Sequence, residues 1–356
     1  MPITLINDEN EVFIHGDNIY GQLGLGHDMK INNITKVPNI KATSVIEGLF
    51  HTIFITEDNE IFTCGRNDFY QLGLGNNINT SIPTKIPGFK VLSVNCGDYF
   101  TILITEDYDV YVFGDNRYGQ LGLDHIENVK IPTKIPDFKA IMVSCGDFHT
   151  LFRTEQDEIF GCGNNCEGQL GLSHRNLVYK PTKIPNFKAT LVSCGGYHTI
   201  FITEDYDVYS CGYNENYQLG FNHNYSIDTP IKIPNFKART VSCGYDHTIF
   251  INEENEVFVC NENDEVFSYF VLECDPNKLI NSKTKLNNFK AKSVFCGDFY
   301  AMFISEDDEV FVCGNNGNRL FWFSDETSVK NPVKIPNFKY KSTQEKRFNR
   351  TKSARN

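Results

Sequence analysis

Three kinds of side chain in this sequence could do chemistry: nine histidines, twelve cysteines and a series of paired carboxylates. Histidine supplies acid–base catalysis or metal ligation near neutral pH, thiolates bind zinc or attack electrophiles, and neighbouring carboxyls can divide into an acid and a base. Spacing decides among these uses. His51, His149, His198 and His247 hold one place in a recurring phrase where Phe100 and Tyr300 also stand, and His27, His125, His174 and His223 hold another, shared with Asn76. A place that accepts Phe, Tyr or Asn in sibling copies is not constrained as a ligand or base, so these imidazoles are expected to hydrogen-bond within the scaffold. Cys96, Cys145, Cys194, Cys243 and Cys296 fill a third place, and Cys64, Cys162, Cys211, Cys260 and Cys313 a fourth. Identical placement points each thiol at the core of its own unit, so small, buried, reduced cysteines are expected. Cys162 and Cys166 make a C-x3-C without the second pair that zinc requires, and no metal or other cofactor is expected.

The carboxylate pairs Glu57/Asp58, Glu106/Asp107, Glu204/Asp205, Glu253/Glu254 and Glu306/Asp307 also recur, each at a turn. Repetition argues against a single catalytic dyad. Lys90, Lys139, Lys188, Lys237, Lys290 and Lys339 precede the next segment of each copy, and the two sets are expected to form exposed ion pairs on one face. No G-x-S-x-G elbow, H-E-x-x-H pair or phosphate-cradling G-x-x-x-x-G-K-[ST] occurs, so enzyme chemistry is not expected.

The elements that must position these residues repeat every 49 residues. The first glycine of a G-x-N phrase falls at Gly16, Gly65, Gly114, Gly163 and Gly212; Asn261 replaces it once, and Gly314 follows a four-residue insertion. A fixed period of this size marks a propeller or solenoid. Each unit divides into four short segments. In the fifth these are Ala189–Cys194, His198–Thr203, Val208–Cys211 and a stretch around Ile231–Pro234, separated by Gly, Asn, Asp and Pro. Short β-branched runs with such punctuation are strands, and no helical period is sustained. Four strands in each of seven units give an all-β, seven-bladed β-propeller of four-stranded antiparallel blades. The chain begins at the second strand of a blade, while 340–344 falls where a first strand belongs. Pairing of the N- and C-terminal strands would therefore close the ring and remove two exposed sheet edges. Residues 1–344 form this propeller and 345–356 a basic, flexible tail.

The phrases Cys145-Gly146-Asp147-Phe148-His149-Thr150, Gly168-Gln169-Leu170-Gly171-Leu172 and Pro181-Thr182-Lys183-Ile184-Pro185 closely resemble the repeats of the regulator of chromosome condensation family, over 3–344. The resemblance implies the propeller fold. It also implies a choice of functions, since the family includes a guanine nucleotide exchange factor for the GTPase Ran that docks on nucleosomes. That exchange factor carries acidic residues just before the His-Thr pair and an inserted β-wedge. Here Asp246 alone stands immediately before that pair, with Asp98, Asp147 and Asp298 one residue earlier in their turns, and the spare length is confined to the sixth unit, near 266–279. Trp322 is the single tryptophan, which is incompatible with the tryptophan-based photoreceptor of the family.

Function is therefore expected from a loop face. The partner-binding candidates are Asp98, Asp147, Asp246 and Asp298 with the neighbouring aromatics Phe148 and Tyr197, because aromatic residues supply much of interface energy. The leading expectation is a non-catalytic protein–protein interaction propeller. The alternative is an exchange factor for a Ran-like GTPase, and the third reading is a chromatin or virion nucleic-acid tether through the tail. From Lys339 onward seven basic residues stand against one acid, Glu345, so a chain of net charge −12 carries about −18 before that point. Such a body disfavours nucleic acid except through Lys346, Arg347, Arg350, Lys352 and Arg355. Apolar runs are far too short to span a bilayer and no basic leader is visible, so a cytoplasmic or nuclear monomer is expected.

Overall fold

The computed structural model describes residues 2–261, 284–317 and 319–340, and among these every regular element is a β-strand. The strands form seven antiparallel sheets in chain order. Six sheets have four strands; in blade 5 these are Leu191–Cys194, His198–Ile202, Asp207–Gly212 and Ile227–Lys237. Blade 1 has three, Ile3–Ile6, Glu11–His15 and Thr35–Lys41, and the segment expected to supply its fourth strand lies, from 341 on, outside the described residues. The ring is nonetheless joined: Tyr300 Oη donates to Pro2 O at 2.7 Å and His15 Nε2 to Arg319 O at 2.9 Å, linking blades 7 and 1. The chain is a seven-bladed β-propeller.

The fourth strands run longer than their apolar residues suggest. In blade 5 an eleven-residue fourth strand pairs with a six-residue third strand, with irregularities between Asp207 and Tyr209 and between Ser210 and Gly212. Bulges let a long outer strand follow a short inner one around the twist of the blade. Each hairpin between second and third strands turns through one left-handed residue, such as Asn59, Asp157 and Asn255, with Tyr108 and Tyr206 taking the same conformation. Asn and Asp tolerate that region because their side chains hydrogen-bond locally.

Between blades the packing is apolar and repetitive. Phe54, Phe152, Phe201, Phe250 and Phe303 are fully buried in second strands, and Phe187 meets Phe201 edge-on at 5.0 Å. Each such ring contributes about 1.5–3 kcal/mol of burial free energy. A polar relay runs beside them. His149 Nε2 lies 3.3 Å from Thr199 Oγ1 of the next blade, and Thr199 donates onward to Gln169 O at 2.7 Å. His51–Thr101 and His198–Thr248 repeat the link at 3.0 and 2.9 Å. Because the threonine proton goes to the carbonyl, the imidazole is the donor at Nε2. Burial pushes these three histidines down to about 3, so they are neutral structural donors, as their interchange with Phe and Tyr requires. In the second histidine column both backbone and ring serve: buried Asn116 and Asn165 donate to the carbonyls of His125 and His174 at 2.7 and 2.6 Å, and Nδ1 of these rings accepts from the backbone N–H of Glu127 and Asn176 at 3.2 Å.

Candidate functional site

The propeller separates its charges onto two faces. On one, the Cys-Gly turns and the loops carrying Gln-Leu-Gly come together, as ring contacts of Tyr20 with Phe50, Phe69 with Tyr99 and Tyr118 with Phe148 establish at 5.1–5.2 Å. The belt continues from Phe148 to Tyr197 at 6.5 Å, from Tyr197 to Tyr245 at 6.3 Å and from Tyr245 to Phe299 at 5.8 Å. Phe148 and Tyr197 thus belong to one partly exposed aromatic rim. Arg66 lies over it, its guanidinium carbon 4.9 Å from the Tyr20 ring and 5.5 Å from that of Tyr99, and Arg117 sits 4.8 Å from the Phe69 ring.

Inside the rim is the axial channel, a cavity of about 160 Å³ lined by glycine backbone, by Glu47, Asp98, Asp147 and Asp298, and by the cysteine column from Cys96 to Cys296. Those cysteines were expected in the core of each unit but border the channel, because each ends the innermost strand of its blade. Three of the four sequence-derived acids are brought together. Asp246 is not among them: its Oδ1 lies 3.7 Å from His247 Nδ1. The sixth unit reads Gly244-Tyr245-Asp246-His247 where three siblings, at Gly97, Gly146 and Gly297, follow the glycine with Asp and then an aromatic, so Tyr245 takes the acid's place at the channel and Asp246 the aromatic's. His247 is held up at about 9; burial pulls it down, but the adjacent Cys296 and Asp246 more than offset that.

The channel acids behave unlike surface carboxylates. Burial raises Asp98 to about 9, helped by the charges of Asp147 and Asp298, and raises Asp147 to about 7, helped by Asp298. Glu47 rises to about 7 through burial, against a hydrogen bond from Thr4, and Asp298 is raised by burial as well. Glu47 escaped the sequence reading, although it fills the cysteine column of the second unit.

The opposite face is ordered differently from expectation. The turn lysines do not mainly pair with the hairpin acids; Lys139 and Lys237 donate to the backbone carbonyls of Asp107 and Asp205 at 2.6 and 2.8 Å. The recurring ion pair joins the acid opening each third strand to a fourth-strand lysine: Glu11–Lys36, Glu60–Lys85, Asp109–Lys134, Glu158–Lys183, Asp207–Lys232, Glu256–Lys285 and Glu309–Lys334. The constant separation of 25 residues outside the insertion was visible in the sequence as two aligned columns.

A second cavity, of about 230 Å³, lies at the seam of blades 1 and 7 beside His15, Lys30, Arg319 and Trp322. There Trp322 stands in a glycine column. At Gly171, in the same column, φ is +69° and an added Cβ would meet Pro230 at 3.0 Å, so the regular seams are closed tightly. The basic-tail candidates Lys346, Arg347, Arg350, Lys352 and Arg355 lie outside the described residues.

The chain is thus a propeller with an aromatic rim around an acidic axial mouth. The regulator of chromosome condensation (RCC1) repeat matches it over 58–104, 108–153, 156–202 and 206–251, and a second profile of the same repeat over 40–71, 91–120, 142–169, 189–218 and 291–319. The chain belongs to the RCC1 repeat family. Similar solved structures include human WBSCR16, at 22% identity and TM-score 0.79 over 91% of this chain and 93% of that one. Prp20p from Saccharomyces cerevisiae, characterised for its binding to Gsp1p and histones, superposes with TM-score 0.81 at 22% identity over 94% of this chain and 88% of its own. Comparison with curated proteins gives no match.

Proposed function

We propose that this is a non-catalytic interaction propeller whose Cys-Gly-turn face docks a protein partner. The observation that carries the reading is the coincidence, on one face, of a partly exposed aromatic rim with an axial cluster of carboxylates. Aromatic anchors bury large area at low entropic cost, and a rigid ring fixes them relative to one another. The test is affinity capture with the wild-type chain, a Phe148→Ala/Tyr197→Ala variant and a Lys183→Glu variant on the opposite face. Partners lost only from the aromatic variant support the reading; partners lost only from the lysine variant reverse the choice of face.

A second reading, exchange activity on a Ran-type GTPase, is favoured by Asp98, Asp147 and Asp298 preceding their second strands as acids do in the exchange factor of the family. It is tested by release of fluorescent GDP from Ran at catalytic propeller concentration. Acceleration lost in Asp147→Asn/Asp298→Asn would convert the docking propeller into an exchange factor, and no acceleration would retire that reading.

A further inference from the structure

We propose that the axial mouth is a receptor for one cationic side chain, an arginine or lysine projected by the docked partner, seated among Asp98, Asp147 and Asp298 with Tyr197 and Tyr245 beside it. The inference rests on the docking reading and adds the chemistry of what docks.

The first argument is charge. Each of the seven acids opening a third strand on the opposite face has a lysine partner. The channel residues include four carboxylates and no Lys, Arg or His. Asp98, Asp147 and Asp298 accept no side-chain hydrogen bond from any described residue, and are mostly enclosed by protein. The amino terminus and, for Asp298, His247 offset part of this negative charge, but no cation acts on Asp147. Part-buried carboxylates with so little counter-charge are costly, and proteins retain them where a ligand completes the site.

The second argument is independent of the acids. Half of the aromatic rim already holds guanidinium groups: Arg66 over Tyr20, Phe50, Phe69 and Tyr99, and Arg117 over Phe69. In the other half, the rings of Phe148, Tyr197 and Tyr245 carry no cation of the described chain, although their geometry continues the same belt. The molecule thus contains its own precedent for what the rim accepts, and cations over aromatic faces are attracted by the ring quadrupole.

The third argument selects the occupant. The channel has room for about five waters' worth of volume, or for one guanidinium with part of its stem. Among the described residues no three His, Cys, Asp or Glu side chains are grouped to hold a metal ion. Dispersed carboxylates in a channel walled by glycine and cysteine, with Tyr245 in its lining and the aromatic rim around its mouth, suit an organic cation whose several N–H donors point in different directions.

A consequence follows for protons. Asp98, Asp147 and Glu47 titrate between about 7 and 9 without the cation, so seating a positive charge must expel protons. The groups facing them that enter the balance are Asp298, Asp115, the amino terminus and, through Asp298, His247 and Asp246. Affinity should rise with pH from 6 to 9 and level off above.

The experiment is calorimetric titration of the full chain with an acetylated Gly-Gly-Arg-Gly-Tyr-Gly peptide and with its citrulline counterpart, at pH 6.5 and 8.5 and in two buffers of different ionisation enthalpy. The expected result is arginine binding at least tenfold tighter than citrulline, proton release, and a tenfold loss in Asp147→Asn/Asp298→Asn. A Glu57→Gln/Asp58→Asn variant, which removes exposed hairpin acids, should bind as wild type. Equal binding of citrulline, no proton release, or equal loss in the hairpin variant would overturn the proposal. Arginine-peptide failure with aromatic-dependent partner capture intact rejects the cation seat alone. Peptide binding without such capture leaves the seat and rejects the docking reading.

Discussion

The two faces of this propeller treat the same charge in opposite ways. On the hairpin face, acids such as Glu158 and Asp207 meet lysines at 2.5 and 2.6 Å, blade after blade. At the axial mouth, Asp98, Asp147 and Asp298 line one cavity that no lysine or arginine lines. The paired face is what a repeat produces when every copy satisfies itself, and it costs little to maintain. Burial raises the carboxyls of the mouth, so their charged forms oppose the folded state, an arrangement expected at a site kept for something other than stability. Repetition alone cannot reveal this, because both sets of carboxylates repeat. Only the counter-charge distinguishes them.

The largest effect that would sharpen the contrast is on stability against pH. A carboxyl whose pKa rises on folding binds its proton more tightly in the native state, so native stability is full below the unfolded value near 4 and declines as pH rises through the folded value. For Asp98 that window extends to about 9 and for Asp147 to about 7. Asp98→Asn/Asp147→Asn should therefore be more stable than wild type at pH 8.5, on the order of 2–3 kcal/mol, and indistinguishable at pH 4. Thermal unfolding at the two pH values measures this, and an equal gain at both would mean that packing, not charge, was relieved.

A somewhat smaller effect is expected at His247. Its folded pKa, about 9, exceeds the usual 6.5, so its contribution is fully present below 6.5 and is lost as pH rises through 9. Asp246→Asn should lower that pKa, which the imidazole proton shifts in an NMR titration would report, and cost about 1 kcal/mol at pH 6. An unchanged titration would show that Asp246 is free for a partner after all. On the rim, Arg66→Ala removes a guanidinium that lies within 6 Å of four rings and should cost about 1 kcal/mol. If it costs nothing, the rim is not a cation-binding surface and the contrast between its two halves collapses.

The architecture was legible because the unit recurs: the glycine column apart from Asn261, the four-segment unit and the interchange of His with Phe or Tyr hold among the described residues. Pairing was less legible. The Lys139–Asp107 proximity was read as an ion pair, whereas the lysine reaches a carbonyl and its neighbour Asp109, since a two-residue turn directs side chains by backbone conformation more than by charge. Asp246 shares its turn position with none of Asp98, Asp147 and Asp298, and that one-residue offset, legible in the sequence, turns it from the channel toward His247 while Tyr245 takes the channel place. Glu47 was hidden because it breaks a cysteine column, and Trp322 because it breaks a glycine column. In a repeat protein the departures from a column carry more functional information than the column, and each must be judged by what its siblings touch.

The finest test lies on the paired face. Glu158 and Lys183 form one of seven equivalent ion pairs with side chains about one-third and one-half exposed, so solvent screens most of the Coulomb energy. A double-mutant cycle of Glu158→Gln and Lys183→Met should give a coupling of roughly 0.3–0.5 kcal/mol at low salt, falling toward zero at 1 M. A cycle across the mouth, Asp147→Asn with Asp298→Asn, should give a coupling of opposite sign, since removing either charge relieves the other. Two couplings of the same sign would mean that both faces are structural, and that the carboxylates of the axial mouth await no partner.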